Sequence, residues 1–324
     1  MFNVATANQI KSLIKAHNDN DSERFKTVVL QIAAYEAKHN HQTFARELRK
    51  LAEKTGSTKP NILHFNHTQN NPMLTMSVPS FKLHELVVSD EIRDRIIRIL
   101  NEYRNRNKLK SYGMMNRRKI LIEGKPGTGK TFTAAIIATE AGLPLYTVQM
   151  DKLVTKFMGE TSVKLRQIFD SVENTTGVYF FDEFDAIGAD RNLDNEVGEM
   201  RRILNSFLQF IEEDSSESII IAATNNQGIL DKALFRRFDD VLHYTMPTKN
   251  EVEQLYKYKL SVYQNNFIPS SELIEKSIIL SHAEIIRVCD DAIKGSILDN
   301  REITESKLLS LINERLTVYS GKEA

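Results

Sequence analysis

The chain has 324 residues, enough for about two domains that each bury a core. Lys+Arg and Asp+Glu are 43 each, so the formal net charge is zero, which argues against a protein that coats nucleic acid by bulk charge. The single cysteine, Cys289, excludes a disulfide framework. With no apolar run of membrane-spanning length and no leader pattern in MFNVATANQIK, a cytoplasmic protein is expected, with no membrane partner.

Residues 1–55 read as a small all-α domain. Thr6 and Gln9 have capping-box spacing ahead of Ile10, Leu13 and Ile14. Phe25, Val28, Val29, Ile32 and Ala33 follow helical spacing, and a third helix carries Phe44, Leu48 and Leu51. The unit is either a cap on the rest or an adaptor that docks a partner or substrate. The stretch after it, 56–80, favours the adaptor: Pro, Asn, Ser and Thr dominate, periodicity is lost, and it reads as a linker. His39, His41, His64 and His67 fall nearby. No cysteine or carboxylate cluster accompanies them, so surface histidines fit better than metal ligands.

A basic helix and loop run from Glu85 to Lys119. Arg93 to Lys119 holds ten Lys/Arg against two Asp/Glu. A nucleic-acid patch is one reading, but only Tyr103 and Tyr112 are placed to stack on bases. A subunit-interface face or a solvated helix fits better. The acidic runs Asp182–Glu199 and Glu212–Glu217 are candidate partners for it.

Gly124-Lys125-Pro126-Gly127-Thr128-Gly129-Lys130-Thr131 fits G-x-x-x-x-G-K-[ST]. Ile120, Leu121 and Ile122 before it read as a buried strand, and TAAIIATE from Thr133 reads as a helix. Strand, glycine loop, helix is the context this phosphate-binding loop needs. Glycines let successive N–H groups converge on one anion, and the helix N-terminus adds its dipole. Lys130 would contact β- and γ-phosphates, and Thr131 would hold Mg²⁺.

Val178-Tyr179-Phe180-Phe181 is a second buried strand, ending in Asp182 and Glu183. Acids at the carboxyl end of a parallel strand lie where such sheets place ligands. Asp182 would organise Mg²⁺, and Glu183 would be the base for an attacking water. A third run, Ile219 to Ala223, ends in Thr224 and Asn225, and Asn225 could orient that water. Arg236 and Arg237 then sit in an apolar frame, suited to a phosphate, in this subunit or a neighbour's. Met246-Pro247 ends a further strand, Asp240 to Tyr244. Thr248 with Glu251, and Ser281 with Glu284, have capping-box spacing ahead of helices, and Cys289 falls on an apolar helix face.

Together these pieces resemble the AAA subfamily of the AAA+ ATPases, over roughly Phe81 to Lys307 and in the family's order. Gly124–Thr131 resembles the Walker A loop, and Phe181 to Gly188 an extended Walker B. Asn225 falls at sensor 1. Arg236 and Arg237 look like the arginine-finger pair, in a shortened Arg-Arg-Phe-Asp form that leaves open which is the finger. Lys156-Phe157-Met158-Gly159-Glu160 is similar to the central pore loop, with Met158 where a valine is common. Ser281 to Ile285, including Ala283, looks like the sensor 2 region, and Val87 and Val88 match the segment whose backbone contacts adenine.

The resemblance implies an α/β fold: a doubly wound parallel sheet of about five strands in residues 81–246 and a helical lid in 247–324. It implies ATP and Mg²⁺ as ligands, a nucleotide-dependent homohexamer, and a polypeptide pulled through a central pore. The N-terminus resembles bacterial AAA proteins encoded beside a subtilisin-like serine protease, which makes such a protease a candidate partner. A nucleic-acid-directed loader and an assembly switch read by a partner remain the alternatives.

Overall fold

Ile120, Leu121 and Ile122 are all fully buried, so the strand that carries them has no solvent face. The computed structural model describes residues 27–30, 32–33, 36–37, 41–55, 71–153, 160–184, 196–225, 235–261, 263–264 and 267–320. They fall into two units, Met1–Gln69 and Asn70–Ala324.

In the first unit Val28, Val29, Ile32 and Ala33 are buried, as their helical spacing predicts. Helix α1 (Gln42–Thr55) follows. Its side chains depart from expectation: Phe44 is exposed, and the small Ala45 is buried. His41 Nδ1 lies 2.7 Å from Glu36 Oε2. Thr6, Gln9, Phe25, His39, His64 and His67 lie outside the described residues.

The second unit runs β1 (Leu74–Ser77), a short 3₁₀ turn, α2 (Asp90–Arg104), α3 (Arg106–Ser111), β2 (Lys119–Gly124), α4 (Lys130–Ala141), β3 (Leu145–Val148) and α5 (Met150–Leu153). It continues with α6 (Glu160–Asn174), β4 (Val178–Phe181), α7 (Glu196–Glu213), β5 (Ile219–Thr224) and β6 (Asp240–Tyr244). Four helices close it: α8 (Lys249–Leu260), α9 (Ser271–Ser277), α10 (His282–Asp299) and α11 (Glu305–Ser320).

The sheet has six strands in the order β1-β3-β4-β5-β2-β6. Five are parallel. The sixth, β1, lies antiparallel to β3 at the edge, with Leu74 opposite Val148. It was not among the expected strands and falls inside the stretch read as linker. Residues alternate between two cores. Ile120 and Ile122 face α2 and α4, while Leu121 packs with Phe169 and Phe207 of α6 and α7. Helices on both faces make the sheet doubly wound. Each fully buried aliphatic contributes roughly 1.5–3 kcal/mol. Truncating Leu121 to Ala would also leave a cavity, at a total cost of about 2–5 kcal/mol.

Several cations of the basic stretch are paired within the fold. Arg118 pairs with Asp214, both side chains almost fully buried, and donates to the Asp214 carbonyl as well. Arg95 Nη2 lies 2.9 Å from Asp240, Arg117 pairs with Glu102, and Arg106 and Lys110 share Glu217. Asp214 and Glu217 belong to the acidic run that was a candidate partner.

The C-terminal helices form their own core from Val252, Leu255, Tyr256, Val288 and Cys289. Both expected capping boxes form, at Thr248 with Glu251 and at Ser281 with Glu284. Cys289 is fully buried, and burial pushes its thiol up to about 12, so it behaves as a small apolar residue. Val87 packs into this core and Val88 into the core of the sheet. No helix among the described residues is long and apolar enough to cross a membrane.

Candidate nucleotide site

Strand β2 ends at Gly124, and the chain turns through Lys125 to Gly129 before α4 begins at Lys130. Gly124 is a site of close approach: a Cβ there would lie 2.6 Å from both the Cβ and the carbonyl oxygen of Tyr244 on β6. Gly127 has φ +77°, and a Cβ on it would come 2.5 Å from Ser281 Oγ. Both positions therefore admit only glycine without a shift in their neighbours. Thr128 Oγ1 donates to the Lys125 carbonyl at 2.8 Å and pins the turn.

Lys130 is buried. Its ammonium donates to the carbonyls of Gly124 at 2.7 Å and Lys125 at 3.0 Å, and to Asn225 Oδ1 at 2.7 Å. Thr131 Oγ1 donates to Asp182 Oδ2 at 2.8 Å. Asp182 Oδ1 in turn accepts from the Glu183 N–H at 2.9 Å. Glu183 is exposed and has φ +49°, a left-handed conformation that an L-residue adopts at a cost. The turn it makes carries the carboxylate beyond the end of β4.

The three strand ends thus meet as the sequence predicts: Lys130 and Thr131 after β2, Asp182 and Glu183 after β4, Asn225 after β5. The loop fits a polyphosphate. Its glycines admit backbone conformations closed to other residues, and a buried cation stands at the helix N-terminus. Thr131 and Asp182 place two hard oxygens side by side, a donor set suited to Mg²⁺.

Ala283, at the start of α10, donates its N–H to the Gly127 carbonyl at 2.9 Å, so the C-terminal helices touch the loop directly. Arg236 and Arg237 follow on the way to β6. Arg236 is exposed; Arg237 is half-buried, with Nε 2.6 Å from Glu212 Oε1. Lys156, Phe157 and Met158 lie outside the described residues, as do residues 185–188 of the extended acidic motif.

The AAA family, described as the ATPase family associated with various cellular activities, matches residues 120–246. The chain is 33% identical over 313 residues to the uncharacterized AAA family ATPase y4kL of Sinorhizobium fredii, covering 94% of this chain and 93% of that protein. This chain belongs to the AAA family of ATPases.

Other AAA relatives match in part. The ATP-dependent zinc metalloprotease FtsH of Rickettsia felis is 29% identical over 269 residues, 78% of this chain and 42% of FtsH. The proteasome-activating nucleotidase of Saccharolobus solfataricus is 34% identical over 208 residues, 60% of this chain and 52% of the nucleotidase. The chain therefore spans about half the length of these two, and most of the length of y4kL.

Membership of the AAA family makes this chain a nucleotide-binding ATP hydrolase, and the loop at Gly124–Thr131 is the candidate seat of that activity. Some residues around it escaped sequence reading. Tyr244 is buried, and its hydroxyl lies 2.5 Å from Thr133 Oγ1. Thr133 gives its own hydrogen to the Gly129 carbonyl at 3.0 Å, so Tyr244 is the donor of the pair. Strand β6 therefore braces this AAA loop at Gly124 and again at Thr133. Beside it, Glu123 pairs with His243 across the neighbouring strands. A charged residue directly before the first loop glycine, closing an apolar run, was the available signal for that pair.

Proposed function

We propose that this AAA ATPase is an Mg²⁺-dependent ring motor, a nucleotide-dependent hexamer that remodels or unfolds polypeptides through a central pore. Lys130 binds the β- and γ-phosphates of ATP, and the loop amides from Gly124 to Thr131 cradle them. Thr131 and Asp182 hold Mg²⁺, which would neutralise charge on the phosphates. Glu183 takes the proton of the attacking water, and Asn225 orients that water. Val87, Val88 and Ala283 enclose the base end of the nucleotide. Residues 1–55 serve as the adaptor and 247–324 as a lid whose rigid-body movement follows the nucleotide.

The observation that carries the hydrolytic part is the junction of Lys130, Thr131, Asp182 and Asn225 at 2.7–2.8 Å. Arg236 is the better candidate for the finger that completes a neighbour's site. It is exposed, whereas Arg237 is engaged by Glu212. A head-to-tail contact of this kind is heterologous and closes into a ring.

The remodelling part draws on the relatives. Two of them bear names that couple an ATPase to proteolysis, a zinc metalloprotease and a proteasome activator. Here the protease would be a separate chain, with a subtilisin-like serine protease as the candidate. The pairing of Arg95, Arg106, Lys110, Arg117 and Arg118 with Asp240, Glu217, Glu102 and Asp214 weighs against the nucleic-acid reading. Lys156, Phe157 and Met158 would grip the polypeptide, Phe157 by an apolar surface with few torsions to freeze.

The test is unfolding of a tagged fluorescent protein at saturating ATP. Wild type should unfold it and Phe157→Ala should not. Unfolding by both would remove Phe157 from the mechanism. Nucleotide-dependent assembly with no unfolding by either would favour the assembly switch.

A further inference from the structure

An ammonium group has three hydrogens to donate. Those of Lys130 have three described acceptors within 3.0 Å: the carbonyls of Gly124 and Lys125, and Asn225 Oδ1. The group is also buried, so water does little to hydrate it. A phosphate oxygen that takes a hydrogen from Lys130 therefore competes with these acceptors. The two carbonyls belong to the loop itself and turn only if its backbone turns. Asn225 is different. It is a side chain on the residue directly after β5, and rotation about its side-chain torsions frees the ammonium without moving the loop.

We infer that Asn225 is an internal competitor of the nucleotide: its amide oxygen holds the Lys130 hydrogen that a phosphate must take. Asn225 then has two successive partners. It gives up Lys130 when the phosphates arrive, and only after that is its amide released to act on the γ-phosphate side. Nucleotide binding and the arming of Asn225 become one exchange. On product release Asn225 returns to Lys130 and helps expel the phosphate. The inference rests on the phosphate role proposed above for Lys130.

ADP separates this competition from any role of Asn225 in hydrolysis, because ADP has no γ-phosphate. Affinity for fluorescently labelled ADP is measured on the full chain for wild type, Asn225→Ala, Asn225→Ser, Asn225→Asp and Lys130→Ala. Circular dichroism shows which variants are folded. Loss of the competitor should tighten ADP binding about 10- to 100-fold in Asn225→Ala and Asn225→Ser, the size expected for one hydrogen bond to a charged group. Asn225→Asp offers Lys130 a charged acceptor and should weaken ADP binding about 10-fold or more by the same arithmetic. A residue that only supports the loop would weaken binding in all three.

The outcome that overturns the inference is a folded Asn225→Ala or Asn225→Ser that binds ADP no more tightly than wild type, while Lys130→Ala has lost ADP. If Lys130→Ala binds ADP as wild type does, the phosphate role of Lys130 fails, and the competition falls with it.

Discussion

Thr131 Oγ1 donates a 2.8 Å hydrogen bond to Asp182 Oδ2, joining the first turn of the loop helix to the end of strand β4. Fifty-one positions of sequence separate the two residues, and the parallel sheet brings them together although β5 lies between β2 and β4. The pair offers two oxygens to a hard cation, one neutral and one charged. Replacing Asp182 by Asn keeps the shape and the hydrogen bond but removes the charge. Asp182→Asn should raise the Mg²⁺ concentration for half-maximal ATP hydrolysis about 10-fold or more, since a charged ligand becomes a neutral one. An Mg²⁺ titration of turnover checks this, and an unchanged midpoint would exclude Asp182 from the metal.

Glu183 carries two separable properties, a carboxylate and a left-handed backbone. Glu183→Gln should bind ATP and hydrolyse it at least about 100-fold more slowly, the usual yield of a general base. Glu183→Ala and Glu183→Gly should be equally slow, but Gly relaxes the backbone at φ +49°. Thermal unfolding should then place Glu183→Gly above Glu183→Ala by about 1 kcal/mol. The reverse order would mean that the turn is not held against its own preference.

Strands β2, β4 and β5 were legible because each is a buried apolar run, as at Ile120 to Ile122 and Val178 to Phe181, whereas β3, half-buried at Tyr146 and Thr147, was not singled out. Their polar ends were legible for the same reason: Asp182 and Asn225 stop runs that should otherwise continue. Strand β1 was not. Leu74 to Ser77 is four residues long and largely exposed, and its partner β3 lies some seventy positions on. Nothing local marks such an edge. The brace from Tyr244 to Gly124 and Thr133 was hidden likewise, because it exists only once β6 lies beside β2. Arg236 and Arg237 were indistinguishable in sequence; the Glu212 contact, supplied by α7, tells them apart.

His282, one residue before Ala283, is buried, and neither ring nitrogen has a hydrogen-bond partner among the described residues. Burial holds its pKa below the ordinary 6.5, with nearby Glu251 acting against that shift. The unfolded chain therefore binds a proton at a pH where the folded chain does not. Stability falls as pH drops through about 6.5 toward the lower folded value. His282→Phe keeps a ring in the site and removes the titration. Between pH 7.5 and 5.5 the wild type should lose more Tm than His282→Phe. Parallel Tm curves would show that His282 does not titrate differently on folding.

The central claim is that ATP is hydrolysed at a site completed by a neighbouring subunit. The direct measurement is ATP turnover by two variants, alone and mixed. Lys130→Ala lacks the phosphate cation and Arg236→Ala lacks the proposed finger, so each should be inactive alone. In the mixture some interfaces join an intact Lys130 site to an intact Arg236, and turnover should return to a substantial fraction of wild type. Full activity of Arg236→Ala alone, or a mixture as inactive as its components, would contradict the shared site.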